Sequence, residues 1–471
     1  MNIEQIYTGC LAQGAYFIQS KGEAAVIDPL REVAPYLERA KSSGVTIKYI
    51  FETHFHADFV SGHVTLAEKT GATIVYGPNA QTSFASYIAK DEEEFTVGDI
   101  TIRALHTPGH TMESTTYLLL DSEGNEHAIF TGDTLFLGDV GRPDLAQKSA
   151  SFSQEQLAGT LFNSLREKIM PLPDDVIVYP AHGAGSACGK NMMKETVDTL
   201  GNQKRMNYAL RADMTQDEFV SEVTDGLMPP PQYFPLNVRL NKEGGYADID
   251  EVLANGLQSL SPAAFEAAVA EASALVLDVR SPEAFAKSHV PNSIFIGLDG
   301  NFAPWVGELI VDVHQPILMV VPQGREEEAV TRLARVGFDR TFGVLEGGIA
   351  AWQASGRETE SVLSVAASQF ALEFREKQNE VFDVRKPGEF QAEHVDGAQH
   401  TPLGNLNDFL SKFPTGEPFY VHCAAGYRSM IASSILKSRG IHNMIDVQGG
   451  YEAISDTQIP RTDYVCPSTL G

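Results

Sequence analysis

The chain has 471 residues, and its 35 Lys and Arg against 62 Asp and Glu give a formal net charge of −27 at pH 7. That length predicts roughly two to four domains, and a hydrophobic fraction of 43% is typical of globular proteins. A surface so acidic repels polyanions, which excludes wrapping of nucleic acid and docking on anionic membranes.

Cysteine usage points to reactivity rather than to cross-linking. The four cysteines, Cys10, Cys188, Cys423 and Cys466, are far apart and too few to staple a chain of this size. The N-terminus shows no basic and apolar leader, and no apolar run reaches the roughly 18 residues that span a bilayer. We therefore expect a cytoplasmic protein without membrane or nucleic-acid partners, and its self-association is left open.

The first half alternates short apolar strands with helical patterns. Strands are predicted for EAAVIDP, IKYIFETHFHAD, ITIRALHTPGH, HAIFTGD and DVIVYPAHG, and helices for VAPYLERAKSSG and VTLAEKTG, each closed by glycine. This alternation indicates a layered α/β domain with its loops gathered at strand ends. The Pro-rich stretch at 228–231 and the polar 241–245 segment predict that this domain covers residues 1–245.

The second half contains a repeat. LVLDVRSPEAFAKSHVP resembles FDVRKPGEFQAEHVDG, with Asp278 and Asp383 105 residues apart, and LEGGIAAW resembles VQGGYEAI at an offset of 102. Such a period is too long for a solenoid and indicates duplicated α/β domains. We predict one domain at 246–358 and a second at 359–471.

Histidines and aspartates cluster at the predicted strand ends. Thr53-His-Phe-His-Ala-Asp-Phe59 places His54, His56 and Asp58 at alternating positions just after a strand. His110 in TPGH, Asp133 in TGDT and His182 in PAHG follow three further strands. A single histidine is more often a hydrogen-bonded turn or core residue, but four such motifs together predict a metal site.

The order HxHxD, His, Asp, His resembles the metallo-β-lactamase fold superfamily. That resemblance implies an αββα sandwich with the metal at one edge, so the predicted fold class is α/β. Many hydrolytic members carry a sixth residue, HxHxDH, that helps to hold a second metal. Here that position is Phe59, which cannot ligate, so we predict one metal per chain.

Within the superfamily, HADFVSGH, TPGHT, GDTLFLGDVGRPD and PAHGAGSACGK look like the persulfide dioxygenases. The resemblance implies one Fe(II) held by His54, His110 and Asp133, with His56 and Asp58 orienting those ligands. For His182 an orienting and a structural role are both open. Two imidazoles and one carboxylate leave coordination positions for substrate and O₂, although zinc takes the same ligands.

The family substrate, glutathione persulfide, is anionic. Arg142 is the candidate to bind its carboxylate, because a guanidinium pairs with carboxylate in a bidentate way; the alternative is a surface arginine in a loop. Cys188, beside Lys190, is either a persulfide relay near the metal or a small buried residue. Both Cys188 and Lys190 are retained as substrate-binding candidates.

A second chemical motif is Phe419-Tyr-Val-His-Cys-Ala-Ala-Gly-Tyr-Arg-Ser429, in which an apolar strand delivers Cys423 into a loop that opens a helix. Successive backbone N–H groups and the helix N-terminus favour an anion and lower a thiol pKa. Cys423 is therefore the predicted nucleophile and Arg428 its cationic neighbour. The loop residues predicted to bind substrate are Ala424, Ala425, Gly426 and Tyr427.

CxxGxRS resembles both rhodaneses and cysteine phosphatases, and the flanking FDVRKPGEFQAEHVDG and VQGGYEAI are similar to rhodaneses. The six-residue loop is the size associated in that family with sulfur substrates. In the middle repeat Val321 stands opposite Cys423, the loop is expected to be about a residue shorter, and Glu326–Glu328 crowd the helix start. We expect this copy to be an inactive rhodanese-like domain kept for packing or geometry.

The leading functional interpretation is a fused persulfide dioxygenase and sulfurtransferase. It would use O₂ to form sulfite and thiol from a persulfide, and Cys423 would exchange sulfane sulfur with thiosulfate in sulfide or persulfide detoxification. One alternative is a mononuclear zinc thioester hydrolase of the glyoxalase II kind, which Phe59 disfavours. The other is a non-enzymatic sulfur carrier or regulatory module, which the intact motifs disfavour.

Overall fold

The computed structural model describes residues 1–145, 152–227, 229–377 and 379–465, without the side chains at 375 and 377. The predicted turn at 228–231 therefore lies partly outside the described residues. Cys466 and the end of the predicted third domain lie outside them. The chain divides into two units. The first comprises Met1–Ile249 with Ala334–Gly337, and the second comprises the described residues of the remaining chain.

The first unit contains two six-stranded sheets among its described residues. The first sheet, in chain order, consists of β1 (Asn2–Thr8), β2 (Gln13–Ser20), β3 (Glu23–Ile27), β4 (Thr46–Phe51), β5 (Thr73–Tyr76) and β6 (Tyr87–Ile88). The second runs β12-β11-β10-β9-β8-β7, formed by β7 (Glu94–Val97), β8 (Ile100–His106), β9 (Thr115–Leu120), β10 (Glu126–Gly132), β11 (Ile177–Pro180) and β12 (Asp198–Thr199).

Helices cover the outer faces of these sheets. They are α1 (Ala34–Ser43), α2 (His63–Thr70), α3 (Gln154–Ser164), continued by a π-helical turn at Leu165–Ile169, α4 (Leu200–Met206), followed by a 3₁₀ turn at Tyr208–Leu210, α5 (Gln216–Thr224) and α6 (Phe234–Glu243). The two predicted helices are confirmed as α1 and α2, and Gly44 and Gly71 end them in left-handed backbone geometry.

Three apolar clusters define the layers of the first unit. One lies between the sheets and joins Phe51 and Val75 of the first sheet to Tyr117 and Phe130 of the second. Another packs α1 and α2 on the outer face of the first sheet, and the third packs α3 on the second sheet. The predicted αββα sandwich is confirmed, and each predicted strand of this unit is present.

The second unit holds two parallel five-stranded sheets with the same strand order. The first is β13-β17-β16-β14-β15, built from β13 (Ser259–Leu260), β14 (Leu275–Asp278), β15 (Ile294–Phe295), β16 (Ile317–Val320) and β17 (Thr341–Leu345). The second is β18-β22-β21-β19-β20, built from β18 (Leu363–Ala366), β19 (Val381–Asp383), β20 (Gln399–His400), β21 (Phe419–His422) and β22 (Met444–Gln448).

Helices connect the strands of both repeats, and the first repeat has one more helix ahead of its first strand. In the first repeat they are α7 (Ile249–Gly256), α8 (Pro262–Ala272), α9 (Pro282–Lys287), α10 (Phe302–Leu309), α11 (Glu326–Ala334) and α12 (Gly348–Ala354). In the second they are α13 (Ala367–Lys377), α14 (Pro387–Ala392), a 3₁₀ segment at Leu403–Lys412, α15 (Tyr427–Ser438) and α16 (Gly450–Ser455). Among the described residues, no helix combines the length and apolar character needed to cross a bilayer.

Candidate metal centre and thiol loop

The histidine and aspartate motifs of the first unit converge at strand ends from both sheets. His54 follows β4, His110 lies in the loop after β8, Asp133 comes directly after β10, and His182 follows β11. All four side chains are at most 2% exposed. The sandwich therefore brings together residues that are up to 128 positions apart in the sequence.

His54, His110 and Asp133 form a compact ligand set. Asp133 Oδ2 lies 3.4 Å from His110 Nε2 and 3.9 Å from His54 Nε2, and the three ligand atoms lie within 4.8 Å of one another. Both carboxylate oxygens of Asp133 are buried without a hydrogen-bond partner in the described structure. Because a buried, unpaired carboxylate is costly, this donor set fits a cation.

Hydrogen bonds orient the two imidazoles of this set. His110 Nδ1 lies 2.8 Å from the Arg142 carbonyl oxygen, so Nδ1 donates and the Nε2 lone pair is left for an ion. His54 Nδ1 lies 3.0 Å from Thr53 Oγ1, and that hydroxyl donates to Asp28. Burial, together with neighbouring histidines, holds the pKa of His54 well below its usual value, which keeps the ring neutral as ligation requires.

A second group adjoins the first. The ligand atoms of His56, Asp58 and His182 also lie within 4.8 Å of one another, and His182 Nε2 is 3.4 Å from Asp58 and 3.6 Å from Asp133. Phe59 is fully buried with its ring centroid 4.4 Å from that of His56. That His56 and Asp58 orient the ligands of the first set, and that His182 has an orienting or a structural role, stays a prediction.

Sequence reasoning missed an acidic layer beneath the histidine loop. His56 Nε2 lies 3.0 Å from Asp28 and 3.6 Å from Glu52, and Glu52 is 3.7 Å from His63. Burial and then the Asp28 charge raise the pKa of Glu52 well above its usual value. Their positions in the sequence could have indicated these residues, since Asp28 and Glu52 end apolar strands just as the predicted ligands do.

Arg142 is buried and engaged at several points. Its guanidinium makes a bidentate pair with Asp144, through two contacts of 2.7 Å, and donates to the Ala187 carbonyl. Its own carbonyl accepts the His110 hydrogen bond. A substrate carboxylate would have to compete with Asp144 for this cation, whereas the positioning of His110 is already in place.

Cys188 lies against the metal cluster. Its thiol sulfur is within 4.8 Å of ligand atoms of Asp133 and His182, and burial followed by the nearby carboxylates raises its pKa to about 12. The ammonium of Lys190 points elsewhere and donates to the carbonyls of Glu222 and Asp225 at the end of α5. The structure thus brings Cys188 to the site, whereas the Lys190 ammonium binds the C-terminus of α5.

In the second repeat, Cys423 sits between β21 and α15 as predicted, and only 1% of it is exposed. The Gly426 amide donates to its sulfur over 3.2 Å. Gly426 has φ +99°, a left-handed geometry that glycine adopts at little cost, and it caps the N-terminus of α15. The Gly426 amide therefore faces the sulfur, and the N-terminus of α15 begins at the next residue.

Gly450 and the two residues that follow it hold this loop in place. The carbonyl of Cys423 accepts from the Tyr451 amide at 2.6 Å, and the carbonyl of Ala424 accepts from the Glu452 amide at 2.9 Å. A Cβ at Gly450 would lie 2.5 Å from both carbonyl oxygens, so the approach requires glycine. The carbonyls of Cys423 and Ala424 are thus bound by α16, while the Gly426 amide donates to the thiol sulfur.

Arg428 and Tyr427 have defined partners. Arg428 forms a bidentate pair with Glu389, with contacts of 2.6 and 2.7 Å. The side chain of Tyr427 reaches the first repeat, where its hydroxyl donates to the Gly297 carbonyl at 2.7 Å, and its contact with substrate stays a prediction. Its backbone amide remains part of the loop around Cys423.

The corresponding loop of the first repeat has no thiol. Val321 follows β16 as Cys423 follows β21, and Gly324 has the same left-handed geometry as Gly426, with φ +82°. Because the spacing from strand to glycine is identical, the expectation of a shorter loop is wrong. Glutamates occupy the first turn of α11, as expected.

Comparisons with known proteins agree with this architecture. Residues 8–182 match the metallo-beta-lactamase superfamily, and residues 261–355 and 366–457 each match the rhodanese-like domain. A crystal structure of a metallo-beta-lactamase from Staphylococcus aureus subsp. aureus COL is 30% identical, covers 73% of this chain and 98% of its own, and superposes with a TM-score of 0.64.

Two curated relatives differ in their stated activities. A probable hydroxyacylglutathione hydrolase of Schizosaccharomyces pombe is 33% identical over 163 residues, which are 34% of this chain and 59% of that protein. The human mitochondrial persulfide dioxygenase ETHE1 is 29% identical over 225 residues, which are 47% of this chain and 80% of that protein. The match to the hydrolase thus spans less than two thirds of its length.

The sandwich fold with its buried cluster of histidines and aspartates defines a metal-site protein of the metallo-hydrolase type. The chain belongs to the metallo-β-lactamase superfamily, and its metallo-β-lactamase domain is followed by two rhodanese-like domains.

Proposed function

We propose that this chain is a persulfide dioxygenase fused to a sulfurtransferase. The first unit would convert a low-molecular-weight thiol persulfide of the glutathione type, with O₂ and water, into sulfite, free thiol and two protons. The last repeat would move sulfane sulfur through Cys423. Similarity to the human persulfide dioxygenase over 80% of its length supports the first activity, and the rhodanese-like match supports the second.

The observation that carries the oxidation is the buried set of His54, His110 and Asp133, with both Asp133 oxygens unpaired in the described structure. Two imidazoles and one carboxylate form the ligand pattern of non-haem Fe(II) oxygenases, so we propose one Fe(II) per chain. When bound, such an ion supplies open coordination positions and the redox chemistry that O₂ requires.

The residues around this set have separate tasks. The Arg142 carbonyl accepts from His110 Nδ1 and so fixes the tautomer of that ring. The Thr53 hydroxyl donates to Asp28 and accepts from His54 Nδ1, which orients the second ring. Phe59 fills the position of a further ligand with an apolar ring. Cys188 lies close enough to the cluster to receive a sulfane sulfur from a bound persulfide, which is the relay role proposed for it.

Sulfur transfer would proceed by two displacements at Cys423. Its thiolate attacks the sulfane sulfur of a persulfide, a new S–S bond forms, and the old S–S electron pair leaves with the thiol. Sulfite then attacks the outer sulfur of the Cys423 persulfide, thiosulfate departs, and the thiolate is regenerated. The loop amides and Arg428 stabilise the anionic sulfur in both states. Sulfite from the first unit would thereby leave as thiosulfate.

Metal content and oxygen consumption test this proposal together. Anaerobically purified chain should contain about one iron per chain, and it should consume O₂ when glutathione persulfide is added. His54→Ala should lose both, whereas His106→Ala, at the end of β8 outside the ligand set, should keep both. Zinc content without persulfide-dependent O₂ uptake would sink the dioxygenase assignment.

A second candidate is a zinc thioester hydrolase of the hydroxyacylglutathione hydrolase kind. Two observations favour it, namely the adjoining group of His56, Asp58 and His182 and the 33% identity to the yeast hydrolase. It predicts about two zinc ions per chain and release of free thiol from a hydroxyacylglutathione thioester without O₂. Measuring metal stoichiometry alongside thioester hydrolysis separates the two candidates.

A further inference from the structure

The first rhodanese-like repeat lacks a thiol, yet it holds a residue of the Cys423 loop. Tyr427 is the first residue of α15 and follows Gly426, whose amide donates to the Cys423 sulfur. The Tyr427 hydroxyl donates to the Gly297 carbonyl of the first repeat over 2.7 Å. Both repeats belong to the second unit of the chain.

The Tyr427 ring occupies a socket formed by residues 295–300. Gly300 leaves room for it, because a Cβ there would lie 2.6 Å from the ring. The ring of Phe295 packs edge-on at a centroid distance of 5.9 Å. Burial raises the pKa of Tyr427, which keeps its hydroxyl protonated and able to donate. Contacts, space and hydrogen bonding thus all fix this side chain.

The socket is itself braced. The buried Arg332 guanidinium donates to the carbonyls of Leu298 at 2.7 Å and Gly300 at 3.2 Å. A second connection ties α15 to the same strand end, since the Phe295 amide donates to Ser434 Oγ over 3.0 Å. Helix α15 is therefore held against this edge of the first repeat at Tyr427 and at Ser434, and not only by its own domain.

We propose that the first repeat is a positioning platform for the thiol loop and that Tyr427 is its positioning residue. This inference rests on the proposed sulfur transfer at Cys423. The ring anchors the first residue of α15, and through one peptide unit it sets where the Gly426 amide points. A displaced amide stabilises the thiolate and the persulfide less, because such stabilisation depends on donors aimed in advance.

Three variants test the platform from both sides. Tyr427→Phe removes only the hydroxyl, Tyr427→Ala removes the ring, and Gly300→Ala fills the socket from the first repeat without touching the loop. Tyr420→Phe is the matched control, because its hydroxyl contacts Glu373 and its ring packs on Phe370, both in the second repeat.

Two readouts are measured on the full chain. One is kcat/KM for sulfur transfer from thiosulfate to cyanide. The other is the pH midpoint of Cys423 alkylation by iodoacetamide, followed on the Cys423 peptide by mass spectrometry. Thermal unfolding identifies any variant that does not fold. If Tyr427→Ala does not fold, Tyr427→Phe and Gly300→Ala still test the platform.

We expect kcat/KM to fall about fivefold in Tyr427→Phe, the factor of one lost neutral hydrogen bond, and about 100-fold in Tyr427→Ala. The loss of kcat/KM in Gly300→Ala should lie between these two values. The pH midpoint of Cys423 alkylation should shift upward in the same order, and Tyr420→Phe should change neither quantity. Folded Tyr427→Ala and Gly300→Ala chains with wild-type alkylation midpoints would overturn the platform. If the wild-type chain transfers no sulfur, the proposed function fails, while the alkylation series still decides the platform.

Discussion

The two rhodanese-like repeats share a framework and differ in their loops. In the first, Arg280 pairs with Asp278 and donates to the Ser288 carbonyl at 2.7 Å; in the second, Arg385 pairs with Asp383 and donates to the Glu393 carbonyl at the same distance. Phe285 stacks on His289 at 3.9 Å, as Phe390 stacks on His394 at 3.7 Å.

The differences that bear on the thiol are side chains in and around the loop. Val321 replaces Cys423, Glu326 stands where Arg428 stands, and Val344 stands where Asp446 stands. The comparison teaches that the Asp–Arg pair belongs to the fold, since the thiol-free repeat keeps it. The proposed sulfur transfer depends instead on the loop that holds Cys423 and on the charge of Arg428 beside it.

The largest expected effect concerns the nucleophile. Cys423→Ser should lower sulfur transfer from thiosulfate to cyanide by at least ~10³-fold, the scale of losing a nucleophile that acts with its surroundings. Persulfide-dependent O₂ uptake should be unchanged, because the ligand set lies in the other unit. Transfer at the wild-type rate would move the activity to another thiol, with Cys188 the first to examine.

The shared framework predicts equal losses of stability in the two repeats. Arg280→Ala and Arg385→Ala each leave a fully buried aspartate without its arginine partner. Each should lower the free energy of unfolding by about 3–5 kcal/mol, measured by denaturant unfolding of the full chain. A large loss in the second repeat alone would show that the pair serves the thiol loop and not the fold.

Asp446 should make stability depend on pH in the second repeat only. Burial raises the pKa of Asp446 to about 6, so the folded state favours the protonated form. Its contribution is present below the unfolded pKa of about 4 and is lost as pH rises through 6, a loss of about 2–3 kcal/mol.

Asp446→Asn keeps an oxygen to accept from Ser429, whose hydroxyl lies 2.6 Å from Oδ1. Unfolding free energies of this variant and of wild type, compared between pH 4 and pH 7, should therefore diverge as pH rises, with the variant the more stable. Parallel curves would show that Asp446 does not titrate in this range.

The smallest effect is expected from restoring the thiol. Val321→Cys places a cysteine at the same spacing between strand and glycine as Cys423, but Glu326–Glu328 occupy the helix start beside it. Transfer should remain within twofold of the Cys423→Ser background when tested in that variant, because acidic side chains repel an anionic sulfur donor. Substantial activity would show that the loop backbone alone suffices.

Local patterns in the sequence predicted much of this. Strand-end histidines and aspartates pointed to side chains that the structure brings together, and the repeated DVR motif identified the paired domains. What escaped prediction depends on side-chain direction, as in the local pair of Arg142 with Asp144, or on contacts between separate elements, as where His63 meets Glu52 and Tyr427 reaches Gly297. Side-chain direction at such contacts follows from packing and register, which a single sequence does not display.

The loop length in the first repeat shows the same limit. A different residue pattern suggested a deletion, yet Gly324 and Gly426 adopt the same left-handed geometry at the same spacing. The two loops share this spacing and this glycine geometry although their side chains differ, because glycine reaches the left-handed region whatever its neighbours are.

Oxidation of a persulfide and transfer of sulfur to its product by one chain can be measured directly. Products of the first turnovers with glutathione persulfide and O₂ are separated by ion chromatography for wild type and for Cys423→Ser. We expect thiosulfate from wild type and sulfite from the variant, with equal O₂ uptake. Thiosulfate at equal rates from both chains, or no O₂ uptake by wild type, would show that the two activities are not coupled in this way.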